Sequence, residues 1–250
     1  MAVVCGSSAG IGRGCAEALA ACGVKVVLNG RSEERLAATA AEIRAAYDAD
    51  LDWIVADVST EEGRRTILAN YPSPHILVNN AAGPPTGDFR DFDEATWQAA
   101  LNVSMITPIM MIRSVIDGMI ANGWGRIINI TSTAVKAPLP LLGLSNGARS
   151  GLTGFVAGLA REVADKGVTI NNLLPGRIET DRLNSYIGKV AESRGIPPEE
   201  AARALAAANP MKRFGAIEEI GAFCAFLASR QAAYVTGQNY LIDGGEFPGL

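Results

Sequence analysis

The loop Gly6-Ser7-Ser8-Ala9-Gly10-Ile11-Gly12 is the first stretch whose residue types and spacing suit a definite chemistry. Its glycines permit a tight turn and let backbone close on a pyrophosphate. The loop follows an apolar run and opens an alanine-rich stretch. A helix starting there offers free N–H groups and the positive end of its dipole to the same phosphates. A glycine cluster alone is weak evidence, and the strand-to-helix context is what gives it weight. Gly6, Ser8, Gly10, Ile11 and Gly12 are therefore candidate cofactor contacts. The bland alternative is a plain tight turn.

The end of the second apolar run, Leu28-Asn29-Gly30-Arg31-Ser32, bears on which dinucleotide would bind. NAD enzymes place an acid there to bond the ribose 2′-OH, and an acid would repel a 2′-phosphate. This chain has no acid at that point, and Arg31 is placed to pair with the phosphate. NADP(H) is the expected cofactor, ahead of NAD(H). The other reading of Arg31 is a solvated surface arginine.

Positioning such a loop takes alternating strands and helices. Apolar, β-branched runs predict strands at 2–5, 24–29, 52–56, 76–79, 126–131, 169–174 and 239–242. Helical stretches lie between them at 11–22, 32–47, 60–70, 93–121, 143–166 and 216–229. This rhythm predicts an α/β fold, a doubly wound parallel sheet of about seven strands in a single Rossmann-type domain over 1–250. One segment, 181–210, lacks a strand and reads as two short helices broken at Gly195-Ile196-Pro197-Pro198. It follows a strand's carboxyl end, where ligands of open sheets sit, so it is a candidate substrate lid. A solvated structural hairpin is the alternative.

Composition narrows the partners. With 48% hydrophobic and 19% charged residues, 250 residues suffice for a sizeable core. A net charge of -4 without a basic block argues against nucleic acid. No basic leader and no run of about 18 apolar residues is read, so a cytoplasmic protein without a membrane partner is expected. Cys5, Cys15, Cys22 and Cys224 show no metal-ligand spacing and are read as buried free thiols; no metal is expected. The single histidine, His75, precedes an apolar run and is read as a strand-edge residue. No GxSxG elbow supports a hydrolase role for it.

Motifs along the whole chain resemble the short-chain dehydrogenase/reductase superfamily, with the β-ketoacyl thioester reductases as the closest flavour. The glycine spacing is one. Asp57-Val58 is similar to the pair that holds adenine. Asn79-Asn80-Ala81-Ala82-Gly83 resembles the family's NNAG, putting Asn79, Ala81 and Gly83 beside the cofactor. Pro175-Gly176-Arg177-Ile178-Glu179-Thr180 resembles the segment meeting the nicotinamide amide, which implies roles for Pro175, Gly176, Ile178 and Thr180. Tyr234 to Gln238 and Asp243-Gly244-Gly245 resemble the C-terminal signature. The resemblance also implies a homo-oligomer, tetramer or dimer.

The same resemblance makes Asn102 and Ser132 members of a catalytic tetrad and puts Ser145 and Arg149 in its Tyr and Lys slots. No tyrosine lies between Tyr71 and Tyr186 to restore the pattern. In relatives the Tyr is the general acid, its pKa lowered from about 10 by the ammonium. A serine is a far weaker acid, and Arg149 stays charged and cannot relay a proton. The reading that follows is an NADP(H)-dependent reductase of a carbonyl or acyl-thioester-like substrate. In it Ser132, Ser145 and Asn102 stabilise an oxyanion, Arg149 adds charge, and water supplies the proton. The alternatives are an enoyl- or dienoyl-thioester reductase, a non-redox lyase or isomerase, or a nucleotide-binding sensor or partner subunit. Tyr186, at the start of the 181–210 segment, is a further candidate acid.

Overall fold

Val3 and Val4 are both fully buried yet belong to different cores, and this alternation along each strand sets the architecture. A computed structural model describes residues 1–249. Its strands are β1 (Ala2–Val4), β2 (Val26–Gly30), β3 (Leu51–Val55), β4 (Ile76–Asn79), β5 (Gly125–Ile130), β6 (Val168–Pro175) and β7 (Asn239–Ile242). They form one parallel sheet in the order β3-β2-β1-β4-β5-β6-β7. The helices are α1 (Gly10–Ala21), α2 (Glu33–Tyr47), α3 (Glu61–Asn70), α4 (Glu94–Leu101), α5 (Thr107–Ala121), α6 (Gly143–Val163), α7 (Asp181–Arg194), α8 (Pro198–Ala208) and α9 (Ile217–Ala228). The expected strands and helices are present, with small shifts at their ends.

On one face of the sheet Val4, Leu28, Val78 and Ile128 pack with Leu19 of α1, Leu36 of α2 and Leu227 of α9. On the other, Val3, Val27, Leu77 and Ile127 pack with Ile67 of α3, Met111 and Val115 of α5 and Val156 of α6. Each such side chain contributes about 1.5–3 kcal/mol by leaving water. Helix starts are fixed locally. Ser32, Thr60, Asp93 and Thr180 each accept the N–H three residues on, at 3.3, 3.0, 2.8 and 3.4 Å.

A row of asparagine amides crosses the sheet in register. Asn79 Nδ2 donates to Asn129 Oδ1 at 2.9 Å, Asn129 to Asn172 at 3.0 Å, and Asn172 to Asn239 at 2.8 Å. A one-residue slip of any of these strands would strand buried amides, so the row pins the register.

Three sequence expectations need correction. The 93–121 helix is not uniform: a π-helical segment, Asn102–Ile106, separates α4 from α5. The run Glu94–Ala121 is also long and apolar enough to cross a membrane, with a mean hydropathy of 1.5 over 18 residues. Met111, Ile112, Val115 and Met119 of that run are buried against the sheet. Finally, Cys22 is exposed, whereas Cys5, Cys15 and Cys224 are buried; all four are free.

Candidate active site

Strand order reverses between β1 and β4, opening a crevice at their carboxyl ends. The glycine loop forms one lip. Gly6 adopts φ +57°, and a Cβ on Gly12 would lie 2.3 Å from the Gly6 carbonyl oxygen, so the turn closes only on glycine. Ser7 ties the loop to the sheet, donating to the Val4 carbonyl at 2.7 Å and accepting from the Asn29 N–H at 3.0 Å. No side chain caps α1, which leaves the N–H groups of Gly10, Ile11 and Gly12 for an anion.

The structure puts Asn80, a residue the sequence reading passed over, at the base of this loop. Its amide donates to the Gly6 carbonyl at 3.0 Å. The Asn79 side chain, by contrast, is buried and committed to Asn129, so it supports the sheet and offers a cofactor nothing from its amide. Adjacent strand residues point to opposite faces, which is why the two asparagines differ.

At the adenosine end, Arg31 is exposed just beyond β2. Asp57 accepts from the Ser59 N–H at 2.9 Å and hydroxyl at 2.6 Å. These bonds first, and the Arg31 charge to a smaller degree, hold its carboxyl below the usual range. Asn29 donates to the Ile54 and Ala56 carbonyls at 3.3 and 3.0 Å, so the end of β2 presents a neutral, occupied amide.

The candidate reacting end lies where β5 stops. Ser132 Oγ accepts from the Ala134 N–H at 3.1 Å. Ser145, buried in the first turns of α6, accepts from Arg149 Nε at 3.2 Å. Arg149 Nη1 donates to the carbonyls of Ile130 and Thr131 at 2.7 and 3.0 Å, which fastens α6 to the residues before Ser132. Desolvation of this guanidinium, with a lesser push from Arg182, lowers its pKa to about 10. It remains charged at ordinary pH.

Asn102 does not join this group. Its amide donates to the Ser59 carbonyl at 3.2 Å and its own carbonyl accepts the Thr107 N–H, closing the π turn. These bonds give no support to an oxyanion role for its side chain. Sequence periodicity cannot reveal a π turn, because both neighbouring segments keep the helical pattern. Behind Arg149 a small cavity is lined by Ser104 and Thr107, whose hydroxyls are buried without a partner.

Opposite the glycine loop, β6 runs out at Pro175 and the chain passes Gly176 and buried Ile178 to Thr180, the N-cap of α7. The Thr180 methyl would lie 3.3 Å from a Cβ on Gly10, so the two lips meet there. Beyond it α7 and α8 pair around Leu183, Ile187, Ala201 and Leu205. Tyr186 packs against that cluster, which answers its packing role and gives no support to an acid role. Ala81 lines the cavity behind Arg149, and Gly83 lies beneath the Arg182 guanidinium.

A switch-point crevice with a glycine loop on one lip and hydroxyls beside a fixed cation on the other is the architecture of a nucleotide-dependent oxidoreductase. Residues 6–246 match the family described as Enoyl-(Acyl carrier protein) reductase, and the chain belongs to that family, within the short-chain dehydrogenase/reductase superfamily. It is similar to the acetoacetyl-CoA reductase of Allochromatium vinosum, 35% identical over 254 residues, covering 99% of this chain and 98% of that one. It is also similar to the D-beta-hydroxybutyrate dehydrogenase of Cupriavidus necator, 33% identical over 249 residues with 98% and 96% covered. Among solved structures, YwfH, an NADPH dependent reductase involved in bacilysin biosynthesis, superposes with a TM-score of 0.93 at 29% identity, covering 100% and 98%. The L-sorbose reductase of Gluconobacter frateurii, complexed with NADPH and L-sorbose, gives 0.92 at 29% identity, covering 100% and 97%.

Proposed function

We propose that this chain is an NADP(H)-dependent reductase of a carbonyl or acyl-thioester-like substrate whose proton donor is not a phenol. The carrying observation is that Ser132 and Ser145 already accept N–H bonds, from Ala134 and from Arg149. Each oxygen has one lone pair so engaged, and each O–H remains to donate to a substrate oxygen. In this reading Ser145 and Arg149 occupy the superfamily's Tyr and Lys slots.

The Gly6–Gly12 turn, which any Cβ at Gly12 would fill, suits a pyrophosphate. Gly6, Ser8, Gly10, Ile11 and Gly12 would hold it, and Arg31 would take a 2′-phosphate. Asp57 and Val58 would flank adenine and Pro175 to Thr180 the nicotinamide amide, with Ala81 beside the cofactor; Gly83, also expected there, is covered by the Arg182 guanidinium. Bound NADPH supplies a hydride. The residues of this chain supply the answering half. Ser132 and Ser145 hydrogen-bond the oxygen as it gains negative charge, and Arg149 stabilises that charge through Ser145. Water delivers the proton that completes the alcohol. The names of the acetoacetyl-CoA and L-sorbose reductases assign carbonyl substrates to those proteins and support the reading. Ile106 and Phe155 expose apolar side chains on neighbouring helical segments, which favours self-association of this chain.

The test is a fluorescence titration with NADPH and, separately, NADH, followed by turnover with acetoacetyl-CoA. NADPH should bind at least about tenfold more tightly, and Arg31→Ala should remove the difference. Ser132→Ala and Ser145→Ala should each lower kcat by about 10²–10³. Undiminished turnover in both would end this assignment. A second reading, a nucleotide-binding subunit with little redox activity, draws support from the packed position of Tyr186 and the lack of any other nearby phenol. Tight NADPH binding without turnover of any ketone or thioester would select it.

A further inference from the structure

Arg149 has a second cation beside it. Arg182, in the first turn of α7, lays its guanidinium against Gly83, where a Cβ would stand 2.3 Å from the Arg182 Cζ. Its hydrogen bond is a long one, to the Pro84 carbonyl at 3.4 Å. Packing against this loop partly desolvates the guanidinium, although the residue as a whole is exposed. Its field reaches Arg149, and no carboxylate offsets it there.

The acids of the surrounding segments are committed elsewhere. Asp181, the preceding residue, turns to Arg35 at 3.8 Å. Asp57 is tied to Ser59, Glu246 pairs with Arg177, and the charge of Glu179 acts on Arg213. Among the described residues, two partly desolvated cations therefore share one crevice without an anion. Such an arrangement is costly until an opposite charge enters.

We infer that the crevice takes an anionic substrate, one bearing a carboxylate next to its reducible carbonyl, with Arg182 as the carboxylate's partner. The inference rests on the reductase reading for the identity of the reacting end. A planar guanidinium fork matches the two oxygens of a carboxylate. Dinucleotide phosphate offers similar oxygens, but the glycine loop and Arg31 already answer to those. Arg182 stands instead over Gly83, in the loop whose Ala81 lines the cavity behind Arg149.

The experiment compares wild type with Arg182→Gln and Arg182→Lys, all with NADPH bound. The probes are acetoacetate, pyruvate and the uncharged methyl ester of acetoacetate. Acetoacetate or pyruvate should raise the Tm of wild type, the ester should not, and Arg182→Gln should lose the response. In turnover, kcat/KM for the acid should fall about tenfold to a hundredfold in Arg182→Gln. The ester's value and the NADPH Kd should stay within about twofold, and Arg182→Lys should recover part of the loss. An NADPH Kd weakened by the same factor, with acid and ester falling together, would assign the arginine to cofactor phosphate and overturn the inference. So would the lack of any carboxylate-dependent shift in Tm. Because melting reads binding without turnover, an inactive protein that still responds to the acid through Arg182 would refute the reductase reading and leave Arg182 as the carboxylate partner of a binding protein.

Discussion

A guanidinium that donates to Ser145 and to two main-chain carbonyls has no proton to give near neutral pH, and the pH profile of the reaction should reflect it. Arg149 must be charged to stabilise an oxyanion. Burial lowers its pKa to about 10, so the charged form persists below that value and is lost as pH rises through it. We expect log kcat/KM for reduction to stay level from about pH 6 to 9 and to fall above about 10. A phenol–ammonium pair would instead break near working pH, and a break between pH 6 and 8 would reveal a different acid. The thiols permit a second test at this scale. Burial pushes Cys5 up to about 12, and Cys224 is raised by its bond to Cys15 and by burial, whereas Cys22 is exposed. Native alkylation at about pH 8 should add one label, at Cys22, by mass spectrometry. A second native label at Cys15 or Cys224 would show that the α1–α9 seam opens.

At the scale of elements, the asparagine row makes β4, β5, β6 and β7 interdependent. Asn129→Ala removes the middle of the row, leaving the Asn172 acceptor buried without a partner and the Asn79 donor with only its long 3.4 Å bond to the Pro108 carbonyl. The orphaned acceptor costs about 1–3 kcal/mol, and a loss of at least that size should appear as a lower denaturant midpoint with an unchanged m-value. Asn239→Ala, at the partly exposed end of the row, should cost less. If the two variants were equal, the row would not be acting as a connected unit. Strands, helices and glycine loop were legible in the sequence because each is written in local pattern: apolar β-branched runs, alanine-rich stretches between them, and glycines between strand and helix. What stayed hidden depends on facing. Asn79 and Asn80 are the same residue type side by side, and only strand parity decides which one meets the loop. Asn102 matched a motif, yet its side-chain amide turns to the Ser59 carbonyl and the π turn takes its main-chain carbonyl. Arg182 carried no motif at all, and its interest comes from Gly83, about a hundred positions away in the chain.

On the scale of the whole molecule, the α7–α8 hairpin differs from everything else in how it is held. The sheet's two faces are covered by helices that share cores with it, whereas the hairpin keeps a cluster of its own around Leu183, Ile187 and Leu205. It is anchored at two ends: Thr180 against the glycine loop, and Asn209, whose amide donates to the Asp243 carbonyl at 2.8 Å. Between these anchors its polar ties to the body are few and peripheral. Lys189 donates to the Thr86 hydroxyl at 2.9 Å, Arg182 bonds Pro84, and Asp181 faces Arg35. The Asp181–Arg35 pair is exposed and contributes little, about 0–1 kcal/mol. The hairpin should therefore open as a unit at lower free energy than the sheet, which is the behaviour a lid requires. Hydrogen exchange tests this directly. Amides of 181–208 should exchange well before those of β4 to β6 in the free protein, and should slow when NADPH and a carboxylate substrate are added together. Ser132→Ala, which leaves every one of these anchors intact, should show the same slowing. Protection of the hairpin equal to that of the sheet, unchanged by ligand, would make it a fixed wall of the site; the specificity argued from Arg182 would then come from a preformed surface and not from closure.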